Sequence, residues 1–316
     1  MTDPDDLAAA PLTARLHISA PIDLSLTLAP LRHGRDDPTI KFARDGVWLA
    51  RATAEGPATL RLAASAAAEM DSEAGGIVAE AWGPGARLAL EAAPWLAGLL
   101  DDPSPLIPRH PLIHELQRRF AGLRLPRSGQ LLPALVAAVT EQKVTASEAH
   151  GAYAGLVRRL GRPAPGPVPL LLPPDAEMLA SLPYFEFHPL GLERRRAELL
   201  RRIGRSASQI EALTALPPDE ARARLQAIPG IGPWTAAVAT RAAFGDPDAV
   251  SVGDAHLPDL VSWALAGEPR ADDARMLELL APYAGQRARV VLLLEASGMK
   301  IPRFGPRFAP RRIAGI

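Results

Sequence analysis

The hydrophobic pattern of this chain changes its period at a proline-rich break, Pro103–Pro111, and this change limits the possible folds more than any other feature. Before the break, apolar residues such as Leu16 and Ile18 alternate with polar neighbours, which is typical of strands with one buried face. After it, apolar residues recur at the spacing of amphipathic helices. The expected fold class is therefore α+β. The predicted units are a small N-terminal α/β domain at 1–105, an all-α domain at 106–300 and a basic C-terminal tail at 301–316.

The same pattern predicts individual elements. Thr39–Thr53 is expected to form a hairpin with Asp45-Gly46 at its turn. Thr145-Ala-Ser-Glu148 fits a capping box that opens a helix ending at Gly161, and Pro163–Pro174 is expected to be an extended connector. The other expected strands are Thr59–Leu62 and Gly76–Ala81. The other expected helices are Arg87–Leu100, Leu112–Phe120, Leu131–Val139, Leu192–Ile203, Ser208–Leu213, Pro218–Ala227, Pro233–Phe244, Ala255–Ala264, Ala274–Leu280 and Gln286–Ala296.

Composition excludes several kinds of chemistry. The 316 residues include no cysteine, so disulfides, thiol nucleophiles, cysteine-ligated zinc and cysteine-ligated iron–sulfur clusters are excluded. Basic and acidic residues number 35 each, which predicts that any nucleic-acid footprint is small and local. No apolar run approaches the ~20 residues of a membrane span, and the acidic start lacks a signal-peptide core. We expect a cytoplasmic protein.

The segment Leu225–Val238, LQAIPGIGPWTAAV, joins two predicted helices through a short glycine-containing turn. Gly230 and Gly232 permit positive φ and leave backbone N–H groups uncovered, and Pro233 fits the first turn of a helix. A helix N-terminus with free amides suits a phosphate and does not read base sequence. The alternative is that the glycines form only a tight turn between two helices.

This segment resembles the helix-hairpin-helix of the DNA glycosylase superfamily that is named for it. In that family the catalytic aspartate lies twenty residues after the position held here by Trp234, and Asp254 has that spacing. Over Gln130–Leu160 and Leu225–Leu294 the chain is similar to the alkylpurine branch, 3-methyladenine DNA glycosylase II. The first domain matches the TATA-binding-protein-like module of that branch in outline. The resemblance implies a monomer that removes alkylated purines from damaged double-stranded DNA at the nucleoid.

The resemblance makes Asp254 the catalytic carboxylate. Cleavage of an N-glycosidic bond develops positive charge on the deoxyribose, and a carboxylate stabilises that charge and orients the attacking water. The structural alternative is that Asp254 caps the helix expected to begin at Ala255. Bifunctional members carry a lysine at position 234, which attacks C1′ as an amine. Because this chain has Trp234 there, we expect hydrolysis without strand cleavage.

The expected base pocket is aromatic, because an extruded base has to be held outside the stack. Trp234 is the candidate for stacking on an electron-poor alkylated base, and a core position on its helix is the alternative. Tyr184 and Phe187 are candidates for another pocket wall. Packing against the proline-rich connector is the alternative for both of them.

The resemblance also assigns contacts with DNA. Lys143 holds the position of a wedge that fills the gap left by the extruded base, where the best-known bacterial members carry an apolar residue. A solvated surface lysine is the alternative, since the stem of a lysine can cover apolar surface while its charge stays in water. The residues placed at the DNA are Gly230, Gly232, Thr235, Gln142 and Lys143.

Two further expectations concern ions and charged surfaces. Family members commonly hold one monovalent cation, Na⁺ or K⁺, through main-chain carbonyls that by position belong to Gln226, Ile228 and Ile231. No cofactor is required for the chemistry. The six arginines of Arg194–Arg205 are expected to form a solvated helix face.

Two other functions stay open from the residues alone. A glycosylase of the same fold can act on deaminated or oxidised bases. A protein without catalytic activity can bind DNA through the hairpin alone, although such a protein has no need of a carboxylate at position 254.

Overall fold

The computed structural model describes residues 10–65 and 75–302, so the predicted tail lies outside the described residues apart from 301 and 302. The N-terminal region is built around a five-stranded antiparallel sheet with the strand order β1-β5-β4-β3-β2. A short helix, α1 (Leu24–Leu28), follows the first strand. The strands are β1 (Leu12–His17), β2 (Ile40–Ala43), β3 (Gly46–Thr53), β4 (Gly56–Ser65) and β5 (Gly76–Trp82).

The predicted hairpin forms between β2 and β3, with a shift of one residue at its turn. Ala43 pairs with Gly46, so the two turn residues are Arg44 and Asp45. Gly46 was expected within the turn, but it opens β3 with a φ of 134°. Glycine is favoured there because this backbone conformation is sterically costly for other residues.

The two faces of the sheet are covered by different parts of the chain. Helix α2 (Ala86–Leu96) packs across β1, β4 and β5. On the other side, Trp48 and Trp82 stack with their ring centroids 5.2 Å apart and are covered by apolar residues of the proline-rich connector. The connector is not simply extended, because Arg162–Pro163 and Leu171–Leu172 pair as the short strands β6 and β7.

The region after the proline-rich break is helical, as the change of period predicts. None of the described helices is both long enough and apolar enough to cross a bilayer. The helices are α3 (Pro111–Arg119), α4 (Leu131–Thr140), α5 (Ala146–Leu160), α6 (Ala176–Ser181), α7 (Arg194–Arg205), α8 (Ala207–Ala212), α9 (Pro218–Gln226), α10 (Pro233–Phe244), α11 (Leu257–Ala266), α12 (Asp273–Leu280) and α13 (Arg287–Ser297). The predicted capping box is present at Thr145 and Glu148.

Buried polar contacts fix the sheet region against the helices. The Arg289 guanidinium on α13 donates to both carboxylate oxygens of Asp101 at 2.6 and 2.8 Å, and both side chains are almost fully buried. Arg51 on β3 donates to the carbonyl of Ser128, and burial lowers the pKa of Arg51 to about 10. The boundaries at 105 and 300, and the likeness of the sheet region to a TATA-binding-protein module, stay predictions.

Candidate active site

The turn between α9 and α10, residues 228–232, is here called the hairpin. Gly230 has a φ of 99°, and a Cβ added to it would lie 3.2 Å from two methyl carbons of Leu199. Gly232 is extended, with φ −87° and ψ 178°, and a Cβ there would meet no atom within 4 Å. The prediction of positive φ is therefore confirmed for Gly230 and wrong for Gly232. Gly232 instead leaves open space beside the backbone.

The carbonyls of the hairpin are held by side chains from other helices. The Arg202 guanidinium on α7 donates to the carbonyl of Pro229. The Gln142 amide donates to the carbonyl of Gly230 at 3.1 Å and to the hydroxyl of Thr235 at 2.8 Å. Side chains thus bind the carbonyls of Pro229 and Gly230, and no side chain caps the N-terminus of α10. The N–H groups of the hairpin are therefore available to a ligand.

The structure corrects the role expected for the Thr235 side chain. Thr235 is only 3% exposed, and its hydroxyl accepts the hydrogen bond from Gln142. A buried and occupied hydroxyl cannot contact DNA. Thr235 and Gln142 therefore brace the hairpin by their side chains.

Asp254 lies in the loop before α11, and its carboxylate accepts hydrogen bonds from three N–H groups. Its Oδ1 accepts the backbone N–H groups of His256 at 2.8 Å and Leu257 at 2.9 Å. Its Oδ2 accepts the indole N–H of Trp234 at 2.9 Å. The helix begins at Leu257 rather than Ala255, because the intervening amides turn toward the carboxylate. The Asp254 carboxylate therefore binds amides at the start of α11 and is at the same time oriented by the indole of Trp234.

The twenty-residue spacing between Trp234 and Asp254 is expressed in the structure as direct contact. Both side chains are half-buried, which leaves part of each open to solvent. Gly253, with φ 91°, lies over Trp234, and a Cβ on it would be 4.0 Å from the Cβ of Trp234. The indole and the carboxylate are therefore held in a fixed relative orientation at the surface, next to the hairpin.

Lys143 lies between the brace formed by Gln142 and the start of α5. It is exposed, and with a φ of 55° it has the one positive φ among the described non-glycine residues. Such conformations cost about 1–3 kcal/mol and cluster at functional sites. Its neighbour Gln142 donates to the hairpin, so the backbone of Lys143 directly follows a residue that contacts the hairpin.

No family model matches the chain. Among solved structures, the chain is similar to 3-methyladenine DNA glycosylase from Archaeoglobus fulgidus, with a TM-score of 0.74 and 18% identity over 89% of this chain and 96% of that one. The chain has the helix-hairpin-helix DNA glycosylase fold. An 8-oxoguanine glycosylase/lyase from Clostridium acetobutylicum is also similar, with a TM-score of 0.66 and 11% identity over 91% and 98% of the two chains.

A curated relative supports the resemblance to the alkylpurine branch of this glycosylase fold. The probable bifunctional transcriptional activator/DNA repair enzyme AlkA of Mycobacterium tuberculosis is 32% identical over 139 residues. The match spans 43% of this chain and 28% of that protein, so the chain matches less than a third of the relative's length. Glycosylases and glycosylase/lyases share the fold, and the residues of the site have to distinguish them.

The two aromatic residues expected as a second pocket wall, Tyr184 and Phe187, differ in their exposure. Phe187 is completely buried in the core formed around α4, α5 and α7, so it has no surface on which a base could stack. The pocket prediction for Phe187 is therefore wrong, and packing is its role. Tyr184 is half-buried against the same core and lies under the Arg194 guanidinium, 4.8 Å from the ring centroid. Its pocket role stays a prediction.

The arginine-rich helix α7 is not a uniformly solvated face. Arg196 is 1% exposed and donates to the carbonyls of Thr140 and Gly191, at 2.8 and 2.9 Å, and to the carboxylate of Glu193. The prediction of a solvated side chain is therefore wrong for Arg196, because its guanidinium is buried where it donates to the carbonyl at the end of α4. Arg202 is also occupied, at the hairpin.

The cation expected at the hairpin depends on carbonyl oxygens alone, and no cluster of acidic or histidine side chains that could hold a metal is present in the described part of the chain. The carbonyl of Ile228 already accepts the N–H of Ile231 at 3.0 Å. A carbonyl has a second lone pair, so this bond is compatible with a cation. The set Gln226, Ile228 and Ile231 stays a prediction.

Sequence reasoning missed two charged residues near Asp254. Arg241 is half-buried and lies on the same face of α10 as Trp234. The spacing of seven residues, two helical turns, could have shown from the sequence that the two side chains share a face. Glu295 is exposed near the end of α13, and nothing in its sequence context singles it out. Although its side chain is partly open to solvent, the surrounding protein desolvates the Glu295 carboxyl and raises its pKa above the ordinary value; Arg241 opposes that shift, and the charge of Asp254 adds to it.

Proposed function

We propose that this protein is a monofunctional DNA glycosylase that hydrolyses the N-glycosidic bond of alkylated purines in double-stranded DNA, as a step of base excision repair. The observation that carries the proposal is the hydrogen bond between Trp234 and Asp254 beside the hairpin. It joins an aromatic surface on the first turn of α10, directly after the hairpin, to a carboxylate in the loop before α11.

The carboxylate supplies the chemistry in this proposal. As the glycosidic bond breaks, positive charge develops on the deoxyribose, and Asp254 stabilises it and orients the attacking water. Three N–H groups hold the carboxylate, so it does not have to reorganise during the reaction. An alkylated purine is a good leaving group, so this mechanism needs no strong general acid.

The hairpin supplies binding without sequence preference. The N–H groups at the start of α10 are oriented toward a phosphate by the helix geometry, and the open space at Gly232 lets a DNA backbone approach. A monovalent cation on the carbonyls of Gln226, Ile228 and Ile231 would add positive charge there, and no step of the reaction depends on it. Lys143 would enter the duplex when the base leaves the stack.

The absence of an amine at position 234 supports hydrolysis over strand cleavage. A lyase requires a lysine beside C1′, and the indole of Trp234 cannot serve as that nucleophile. Of the three lysines in the sequence, Lys41, Lys143 and Lys300, Lys143 directly follows Gln142, whose amide donates to the carbonyl of Gly230. Lys143 is therefore the lysine to test for any strand-cleavage activity.

Release of bases from defined duplexes tests the proposal. Duplexes that carry 3-methyladenine, 7-methylguanine or hypoxanthine should lose the two methylated bases and retain an unbroken strand until alkali is added. Borohydride added during turnover should trap no protein–DNA adduct, either with the wild type or with Lys143→Ala.

Each competing function has its own outcome in this assay. A trapped adduct that disappears in Lys143→Ala would show a lyase that uses Lys143. Release of hypoxanthine alone would shift the substrate to deaminated bases. Tight DNA binding without release of any base would show a DNA-binding protein with no catalytic role.

A further inference from the structure

An open depression of about 470 Å³ lies where the sheet region meets helix α5. Its lining includes Arg32 and Arg35 from the segment between α1 and β2, Phe42 on β2 and His150 on α5. None of the residues that line it is acidic. It is here called the basic depression. Two guanidinium groups without a carboxylate among them favour an anionic ligand.

The two arginines of the basic depression are not neutralised by the protein. The half-buried Arg32 guanidinium donates to the carbonyl of Arg35 and lies 5.4 Å from the centroid of the Phe42 ring. Its Nε–H is buried and has no acceptor among the described residues. Arg35 is exposed, and its side chain makes no ion pair within the described part of the chain. Both positive charges are therefore available to a ligand, whereas the charge of Arg289 is paired with Asp101.

Two contacts place the basic depression beside the segment that carries Lys143. The residues that make them, His33 and Gly34, lie between the two arginines in the chain. Nδ1 of His33 is 3.0 Å from Oε1 of Glu141. Gly34 has a φ of 86°, and a Cβ on it would lie 2.7 Å from Cγ of His150. The backbone that carries the arginines is therefore packed directly on α5 and on the residues before it.

The residues 141–143 connect the basic depression to the hairpin. Glu141 contacts His33, and the next residue, Gln142, donates to the carbonyl of Gly230. Adjacent Cα atoms are ~3.8 Å apart, so the depression and the hairpin flank a segment only a few residues long. Duplex DNA carries one phosphate charge per ~1.7 Å of its axis. A duplex whose backbone contacts the hairpin therefore also presents phosphates to the depression.

We propose that the basic depression binds a backbone phosphate of the duplex that occupies the hairpin, so that the sheet region contributes to the DNA interface. This inference rests on the proposed function, because the ligand is the DNA of that function. The guanidinium groups of Arg32 and Arg35 donate charge-assisted hydrogen bonds to the phosphate oxygens. Since the contact is with the backbone, it adds affinity without reading base sequence.

The test uses Arg35→Gln, alone and combined with Arg32→Gln. Because Arg35 is exposed, its replacement leaves the fold intact even if the double variant is unstable. The matched control is Arg118→Gln with Arg119→Gln on α3, where Arg118 is exposed and Arg119 lies 5.1 Å from the centroid of the Phe120 ring.

Affinity for a duplex with an abasic site is measured as a function of salt concentration. The double variant should bind about tenfold more weakly, and its salt slope should fall by about two released ions. Arg35→Gln alone should lower the slope by about one, and the control should match the wild type. A double variant with an unchanged slope would overturn the proposal, because a purely structural defect weakens binding without changing the number of phosphates contacted.

Neutral linkages in the DNA identify the phosphate. Single methylphosphonate linkages replace phosphates one at a time on both sides of the abasic site. At one or two positions the wild type should lose affinity about tenfold, while the double variant should lose little more, because the charges that meet this phosphate are already gone. Equal losses by the two proteins at every position would overturn the proposal.

Two further outcomes separate this inference from its alternatives. Inorganic phosphate that binds the wild type but not Arg35→Gln, with no change in the affinity of Arg35→Gln for DNA, would show a site for a free anion and would overturn the contact with the duplex. Coupling between the arginines and one linkage, in a wild type that releases no base, would overturn only the proposed function. Base release without such coupling would overturn only the role of the basic depression.

Discussion

The two ends of α10 are held by different means. At its N-terminus the hairpin carries no charged side chain of its own, and Arg202 and Gln142 bind its carbonyls from neighbouring elements. Farther along the same helix, Arg241 makes no ion pair among the described residues, although its charge acts on Glu295 of α13. The hairpin is a backbone surface whose carbonyls are already bound by side chains, which suits the proposed contact with the DNA backbone. Variants at the two ends should therefore separate binding from chemistry.

The largest expected effect is that of Asp254→Asn. Single-turnover base release should fall on the order of 10²-fold or more, because a neutral amide does not stabilise the developing sugar cation. Affinity for a duplex with an abasic site should change little, since asparagine also accepts the amides at the start of α11. Near wild-type release would show that Asp254 is only a helix cap.

The hairpin is tested by a pair of glycine variants. Gly230→Val should lower the free energy of unfolding by about 1–3 kcal/mol, because its φ is positive and Leu199 blocks the added carbon. Gly232→Ala should leave stability unchanged and weaken binding about tenfold for all sequences alike, because the methyl group occupies the space of a phosphate. Thermal unfolding and binding titrations measure the two effects. Unchanged binding by Gly232→Ala would remove the hairpin from the interface.

The desolvation of Glu295 is tested through stability against pH. The raised pKa of Glu295 means that its ionisation costs more in the folded than in the unfolded chain. This destabilisation is complete above the folded pKa and disappears below the ordinary value of about 4.3. Glu295→Gln should therefore raise the melting temperature at pH 8, and the gain should vanish near pH 4. Arg241 and Asp254 are the charged groups that act on Glu295, and a gain of the same size at both pH values would contradict the assignment.

The smallest effect expected is the salt dependence of binding. The chain has no net charge, and much of its arginine is already paired, so few phosphates are contacted. The slope of log affinity against log salt should correspond to about three to five released ions. A slope near ten would reveal a broad basic surface and would make the hairpin a minor part of the interface.

Much of the fold follows from local pattern. The bounds of α10 agree with the prediction at both ends because Pro233 begins it and a left-handed glycine ends it. The capping box of α5 agrees for a similar reason, since its contacts are local. The turn of the first hairpin shifted by one residue, because pairing across the sheet decided which residue turned.

The site was less predictable, because its geometry depends on distant parts of the chain. The twenty-residue spacing of the family singled out Trp234 and Asp254, and the two side chains are in contact in the structure. The glycines that identify the hairpin in the sequence take no part in this contact. Phe187 was wrongly assigned to the pocket because the sequence near a connector does not show whether an aromatic side chain points into the core or toward the surface. Glu295 was missed because the desolvation of its carboxyl depends on parts of the chain that are distant in sequence.

The buried Arg196 changes how mutational scans of this chain should be interpreted. Its guanidinium joins the end of α4 to the loop before α7, and the segment with Gln142 and Lys143 starts at that end. Replacement by alanine would leave two carbonyls without a donor and let the segment drift, so DNA affinity would fall although no phosphate contact had been removed. An alanine scan of the arginines would then wrongly assign to Arg196 a direct contact with DNA. In mechanical terms, Arg196 is a splint for the segment that is proposed to enter the duplex.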